Sequence, residues 1–130
     1  MNTQGMQNLV VLGATGTVGR NTLAVAALHP DKLKIHALSA SQDVAGLLEL
    51  CRRFVPAVAV MADPTAAREL KQKLKEAALP TEVRSGSDAL CSIAAEAAAH
   101  QVMSAIVGAA GLMPTMAAVR AGKRVLLANK

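Results

Sequence analysis

The sequence predicts an α/β fold: a doubly wound parallel sheet in three layers. Three observations carry that prediction. Short apolar, β-rich runs alternate with amphipathic stretches along the whole chain. Several runs, notably VVL and AIV, are apolar at consecutive positions, as parallel strands are when helices cover both faces. A glycine-rich turn, LGATGTVG, then separates the first strand from the first helix.

The elements follow in order. Residues 9–12 form the first strand, and the Ala-rich stretch 20–28 the first helix. Residues 33–38 read as the second strand. Leu47, Leu50, Cys51 and Phe54 then recur at the spacing of one helix face. Residues 58–61 are the third strand, and Ala67, Leu70, Leu74 and Ala78 repeat the helical spacing with the charges opposite. Residues 82–84 are a strand, 88–99 a helix and 102–107 a strand. A fifth helix runs from 114 to 121, because Pro114 suits a first helical turn and Gly122 a helix end. Residues 125–128 close the series as a sixth strand. No linker, low-complexity tract or short-period repeat interrupts it, so residues 1–130 read as one domain.

Composition narrows the function. With 130 residues, 52% hydrophobic and 18% charged, the chain is globular and long enough for a core. Its apolar runs are too short to span a bilayer. The start, MNTQGMQN, has neither a basic nor an apolar export region, and the expected location is cytoplasmic. Cys51 and Cys91 lie far apart without a CxxC pattern, as buried thiols of a reducing compartment do. The net charge of +5 raises the question of nucleic acid. Lys71, Lys73 and Lys75, however, alternate with Gln72, Leu74 and Glu76 as on a solvated face, and Phe54 is the only aromatic residue. Neither nucleic acid nor a membrane is an expected partner. The nine acidic residues are scattered, and no metal site is expected within this chain. His29 sits at a helix end, His36 within a strand and His100 before one, none beside an acid or nucleophile in sequence. No catalytic residue is assigned.

Three places bear on binding. In the first, Gly13, Gly16 and Gly19 stand three apart at a strand-to-helix junction. There a Rossmann-like sheet holds a dinucleotide pyrophosphate on the helix N-terminus. Gly13 permits the sharp turn, Gly16 removes the Cβ that would block phosphate, and Gly19 lets the helix pack closely. Thr15 and Thr17 add hydroxyls without charge. No Lys-Ser/Thr follows, so this is not a P-loop; the alternative is three glycines that serve packing alone. The second place is HALSASQDV, where the adenosine ribose is met. Asp43 is placed either to cap the next helix or to face the ribose itself; if it caps, Ser41 and Gln42 are the uncharged groups left to meet the ribose or a 2′-phosphate. The third is the small-residue loop Gly108-Ala109-Ala110-Gly111 together with Asn129 and Lys130, both at carboxyl ends of strands. A terminal Asn-Lys also fits a solvated stub.

LGATGTVG, AIVGAAGL and RAGKRVLLANK together resemble the N-terminal domain of the 1-deoxy-D-xylulose 5-phosphate reductoisomerase family, over nearly the whole chain from about residue 8. The last two motifs at this spacing are the specific ones. The resemblance implies an NADPH-dependent enzyme of the non-mevalonate isoprenoid pathway, with a phosphosugar substrate and a homodimeric state. It implies that Thr15, Gly16, Thr17 and Val18 line the pyrophosphate and that Asn129 contacts the ribose or nicotinamide side. It also implies that Lys130 reaches substrate. A divalent metal, magnesium or manganese, would belong to a catalytic domain beyond this chain, which is then the cofactor half of a larger enzyme. One departure stands out. Where the family often carries Gly–Lys/Arg–Asn for the 2′-phosphate, this chain has Ser41-Gln42-Asp43, which supplies no cation. Two other readings stand beside it: a semialdehyde or dihydrodipicolinate-type reductase, which shares the glycine spacing, and a non-enzymatic dinucleotide sensor, in which this domain alone is the functional unit.

Overall fold

A computed structural model describes residues 6–106 and 108–127. The elements alternate: β1 (Gln7–Leu12), α1 (Thr17–Ala27), β2 (Leu33–Ala40), α2 (Val44–Phe54), β3 (Val58–Met61) and α3 (Pro64–Glu76). They continue with β4 (Glu82–Ser85), α4 (Ser87–Ala95), β5 (Gln101–Ser104), a 3-10 turn (Gly108–Gly111), α5 (Leu112–Arg120) and β6 (Arg124–Leu127). The six strands form one sheet in the order β4-β3-β2-β1-β5-β6. Every neighbouring pair is parallel.

Side-chain alternation explains the layers. Leu9 and Val11 of β1 join Leu23, Leu47, Leu50, Leu70 and Leu74 from α1, α2 and α3 on one face. Val10 and Leu12 join Leu90, Ile93 and Ala118 from α4 and α5 on the other. The central strand is therefore apolar at consecutive positions because both its faces are covered. Leu12, Leu38, Leu47 and Leu70 are fully buried, each contributing about 1.5–3 kcal/mol relative to exposure. The fold class read from the sequence is the fold observed.

Boundaries moved where tertiary contacts outweigh local pattern. α2 and α3 begin ahead of their apolar stripes because caps set their starts. The Asp43 carboxylate accepts the Gly46 N–H at 2.9 Å, and that of Asp63 accepts the Thr65 N–H at 3.2 Å, with Pro64 in the first turn. α4 stops at Ala95 rather than residue 99, since Glu96 turns extended (φ −69°, ψ 157°). That turn places its carboxylate 3.0 Å from His36 on β2. β5 ends at Ser104 rather than 107: the Ala105 N–H still donates to the Leu12 carbonyl at 2.9 Å, and from there Ala105 and Ile106 wall a cleft. Residues 107 and 128, read as strand in the sequence, lie outside the described residues.

Candidate functional site

The strand order reverses between β1 and β5. From β1 the chain works outward through β2, β3 and β4, then returns through α4 to the other side of β1. The connections after β1 and β5 therefore part in opposite directions, and the carboxyl edge opens a crevice between them. A cleft of about 260 Å³ lies there, walled by Thr15 and Gly16, by Ser39 and Ser41, and by Ala105 and Ile106.

The glycine turn is held from below by β2. Gly13 adopts φ +77°, and a Cβ there would come within 3.1 Å of the Ala105 carbonyl carbon. Its N–H donates to Ser39 Oγ at 3.0 Å, and the Ala14 N–H donates to the Ser39 carbonyl at 2.7 Å. Ser39 is buried, and its two contacts fix the height of the turn above the sheet. Gly19 is a packing glycine. A Cβ on it would overlap the Gly13 carbonyl oxygen and lie 2.7 Å from Ala14 Cα, so α1 sits on the turn only because Gly19 has no side chain.

Gly16 differs from both. Its backbone, at φ −80° and ψ 175°, suits any residue. A Cβ on it would make only an ordinary contact, 3.7 Å from the Gly13 carbonyl oxygen. The fold does not require glycine here. Gly16 is also the N-cap of α1 and supplies no side-chain cap, so no side chain accepts from the first-turn amides. Open backbone donors, a positive helix end and a missing Cβ meet at one exposed point, which is the arrangement a phosphate group fits.

The sequence-read residues fall around this cleft unequally. Thr15, Gly16 and Ser41 line it. Thr17 and Val18 open α1 at its rim, and Gln42 is exposed beside Ser41. The Asp43 carboxylate is engaged in capping α2. Asn129 and Lys130 lie outside the described residues. Sequence reasoning missed Ser39, whose signal is one hydroxyl at the end of the otherwise apolar run ALSA. On the β5 side, Ser104 and Thr115 share a 2.8 Å hydroxyl contact that ties the strand to α5 beneath the loop containing Ala110.

None of the described lining residues is ionisable, so the cleft offers backbone donors, hydroxyls and apolar walls rather than an acid or base. The titratable cluster lies elsewhere. His36 and Arg84 both approach Glu96, and hydrogen bonding from Arg84 holds the Glu82 carboxyl below its usual range. Burial pushes the Cys51 thiol up to about 11. Among the described residues no group of three or more His, Cys, Asp or Glu is placed to hold a metal ion, and no helix is long and apolar enough to cross a membrane.

A profile of the family described as 1-deoxy-D-xylulose 5-phosphate reductoisomerase matches residues 9–130. The chain is 55% identical over 125 residues to the protein of that name from Cupriavidus metallidurans, covering 96% of this chain and 32% of that one. It is 52% identical to the one from Tolumonas auensis, covering 96% and 31%. The fold is similar to a crystal structure of DOX-P reductoisomerase in complex with NADPH, fosmidomycin and magnesium. There the TM-score is 0.91 at 45% identity, covering 95% of this chain and 30% of that chain. The reductoisomerase from Zymomonas mobilis in complex with NADPH gives 0.88 at 40% identity, covering 95% and 32%. The chain thus spans about a third of the length of the curated relatives it matches.

Proposed function

The chain belongs to the 1-deoxy-D-xylulose 5-phosphate reductoisomerase family, and from that premise we propose that it is the NADPH-binding domain of such an enzyme. The whole protein rearranges and reduces 1-deoxy-D-xylulose 5-phosphate to 2-C-methyl-D-erythritol 4-phosphate in non-mevalonate isoprenoid biosynthesis. The observation that carries this reading is Gly16, a glycine the fold has no need of, set at the uncapped start of α1 in the crevice between β1 and β5.

In this reading the Thr17 and Val18 amides hold the pyrophosphate over Gly16, and the Thr15 hydroxyl adds a donor. Ser41 and Gln42 face the adenosine ribose, with Asp43 setting the start of α2 behind them. Asn129 meets the ribose or nicotinamide side, and Lys130 reaches substrate. Ala105, Ile106 and Ala110 close the β5 side and exclude water. When bound, NADPH supplies the hydride. This chain's own residues bind and orient it, and none of the described residues lining the cleft is ionisable.

No group of three or more His, Cys, Asp or Glu among the described residues is placed to hold a metal, and in this reading the magnesium or manganese is held by the part of the longer protein outside this chain. Leu112, Met113, Val119 and Leu127 expose large apolar side chains on α5 and β6, a surface suited to cover by that part. We read the whole protein as a cytoplasmic homodimer acting on a phosphosugar, with neither nucleic acid nor membrane as partner.

NADPH oxidation with 1-deoxy-D-xylulose 5-phosphate and magnesium or manganese tests the reading. The 130-residue chain is expected to bind NADPH without turnover, and the protein extended to its relatives' length to turn over. Turnover by the chain alone near the extended rate would refute the division of labour. An inactive extended protein that binds NADPH would instead favour a dinucleotide sensor.

A further inference from the structure

A 2′-phosphate carries between one and two negative charges at neutral pH, yet neither residues 13–19 nor residues 41–43 contain Lys or Arg. The fold supplies a cation to this place from another position. Arg20, in the first turn and a half of α1, donates from Nε to the Thr15 carbonyl oxygen at 2.9 Å, which pins its guanidinium to the glycine turn. The far end of the same guanidinium reaches α2. A Cβ added at Gly46 would lie only 2.8 Å from Arg20 Nη2. The planar group thus bridges the turn after β1 and the first turn of α2, near in the chain to the cleft-lining residues Thr15 and Ser41.

Gly46 strengthens the point. A glycine inside a helix weakens it, and here the missing Cβ leaves the space into which Arg20 Nη2 and the Asp43 carboxylate both project. Among the described residues the Thr15 carbonyl is the one protein acceptor for Arg20, and Arg20 takes part in none of the ion pairs. Four of its five N–H donors therefore remain for a ligand. The adjacent Asp43 already accepts from the Gly46 N–H. It tempers the positive field without satisfying the guanidinium. Arginine's fixed fork matches phosphate geometry in a way a lysine ammonium does not, and an arginine near the end of the second strand is the general means of accommodating a 2′-phosphate in this fold class.

We propose that Arg20 recognises the 2′-phosphate and sets the preference for NADPH over NADH, a specificity role that rests on the dinucleotide reading above. Calorimetric titration with NADPH and with NADH, on the chain and on Arg20→Gln and Arg20→Lys, tests it. The unaltered chain is expected to favour NADPH. Arg20→Gln, which keeps a donor for Thr15, is expected to lose at least about tenfold in NADPH affinity, about 1.4 kcal/mol, with NADH affinity held within about twofold. Arg20→Lys keeps the charge and is expected to retain an intermediate preference; it carries the same comparison if the Gln variant does not fold. Unchanged NADPH affinity, or equal losses for both nucleotides, overturns the role of Arg20 and leaves the dinucleotide site standing. An unaltered chain that binds neither nucleotide refutes the dinucleotide site and this role with it.

Discussion

Replacing Gly16 with Val separates what the fold needs from what a ligand needs. The backbone at this position is in the extended region, where a β-branched residue is at ease. Its Cβ would meet nothing closer than 3.7 Å. Losing a glycine N-cap costs about 1 kcal/mol at most, and the stiffer unfolded chain returns about 0.4–1 kcal/mol. Stability is therefore expected to change by less than about 1 kcal/mol. Binding is another matter, because the isopropyl group would fill the space above the Thr17 and Val18 amides. Two charge-assisted hydrogen bonds at about 1.5–3 kcal/mol each are then lost. Since 1.4 kcal/mol is about tenfold, NADPH affinity should fall at least about a hundredfold. Calorimetry gives the affinity, and urea unfolding checks the fold. A folded Gly16→Val chain that binds NADPH within about threefold of the original would refute the reasoning.

Gly19→Ala should behave in the opposite way. Its Cβ meets backbone of Gly13 and Ala14, which cannot swing aside, so a loss of about 1–3 kcal/mol or more is expected in urea unfolding, and an unchanged midpoint would contradict it. Asp43→Ala removes the cap on Gly46 N–H and should cost about 1 kcal/mol, while Asp43→Asn keeps it; thermal melts that rank the two alike would count against the capping role. Cys51 is fully buried with its thiol pushed up to about 11. Iodoacetamide at pH 8 should therefore label the half-buried Cys91 first and reach Cys51 only on unfolding. Ionisation of Cys51 favours the unfolded chain, so its contribution to stability is intact below the usual thiol value of 9.0 and is lost as pH rises toward 11. Stability that is flat across that window would contradict the burial.

What the sequence made legible is what lies close together along it. The alternation of apolar runs and helical stripes identified the parallel sheet, because β1 must be apolar on both faces to stand between two helix layers. The glycine spacing and the Asp43 cap are likewise written within a few residues. What was illegible depends on distant partners. The early stop of α4 follows from Glu96 reaching His36 across 60 positions, and no local propensity encodes that. Ser39 supports Gly13 from another strand, 26 positions away. Arg20 reads as one more exposed charge on a helix until α2 folds beside it and Gly46 makes room for its tip. AIV has strand character and extends β5 in the sequence, yet Ala105 and Ile106 are used as cleft wall.

The central claim is that the dinucleotide lies in the crevice between β1 and β5, and amide chemical shifts measured during an NADPH titration test it most directly. The fold contains a competing groove of about 380 Å³ at the opposite, amino edge of the sheet, lined by Pro30, Lys34, Arg53 and Phe54 among others. The expected result is saturable shifts concentrated at Thr17, Val18, Ser41, Ala105 and Ala110, with Lys34, Arg53 and Phe54 unmoved. Shifts centred on the amino-edge groove, or none at saturating NADPH, would contradict the claim.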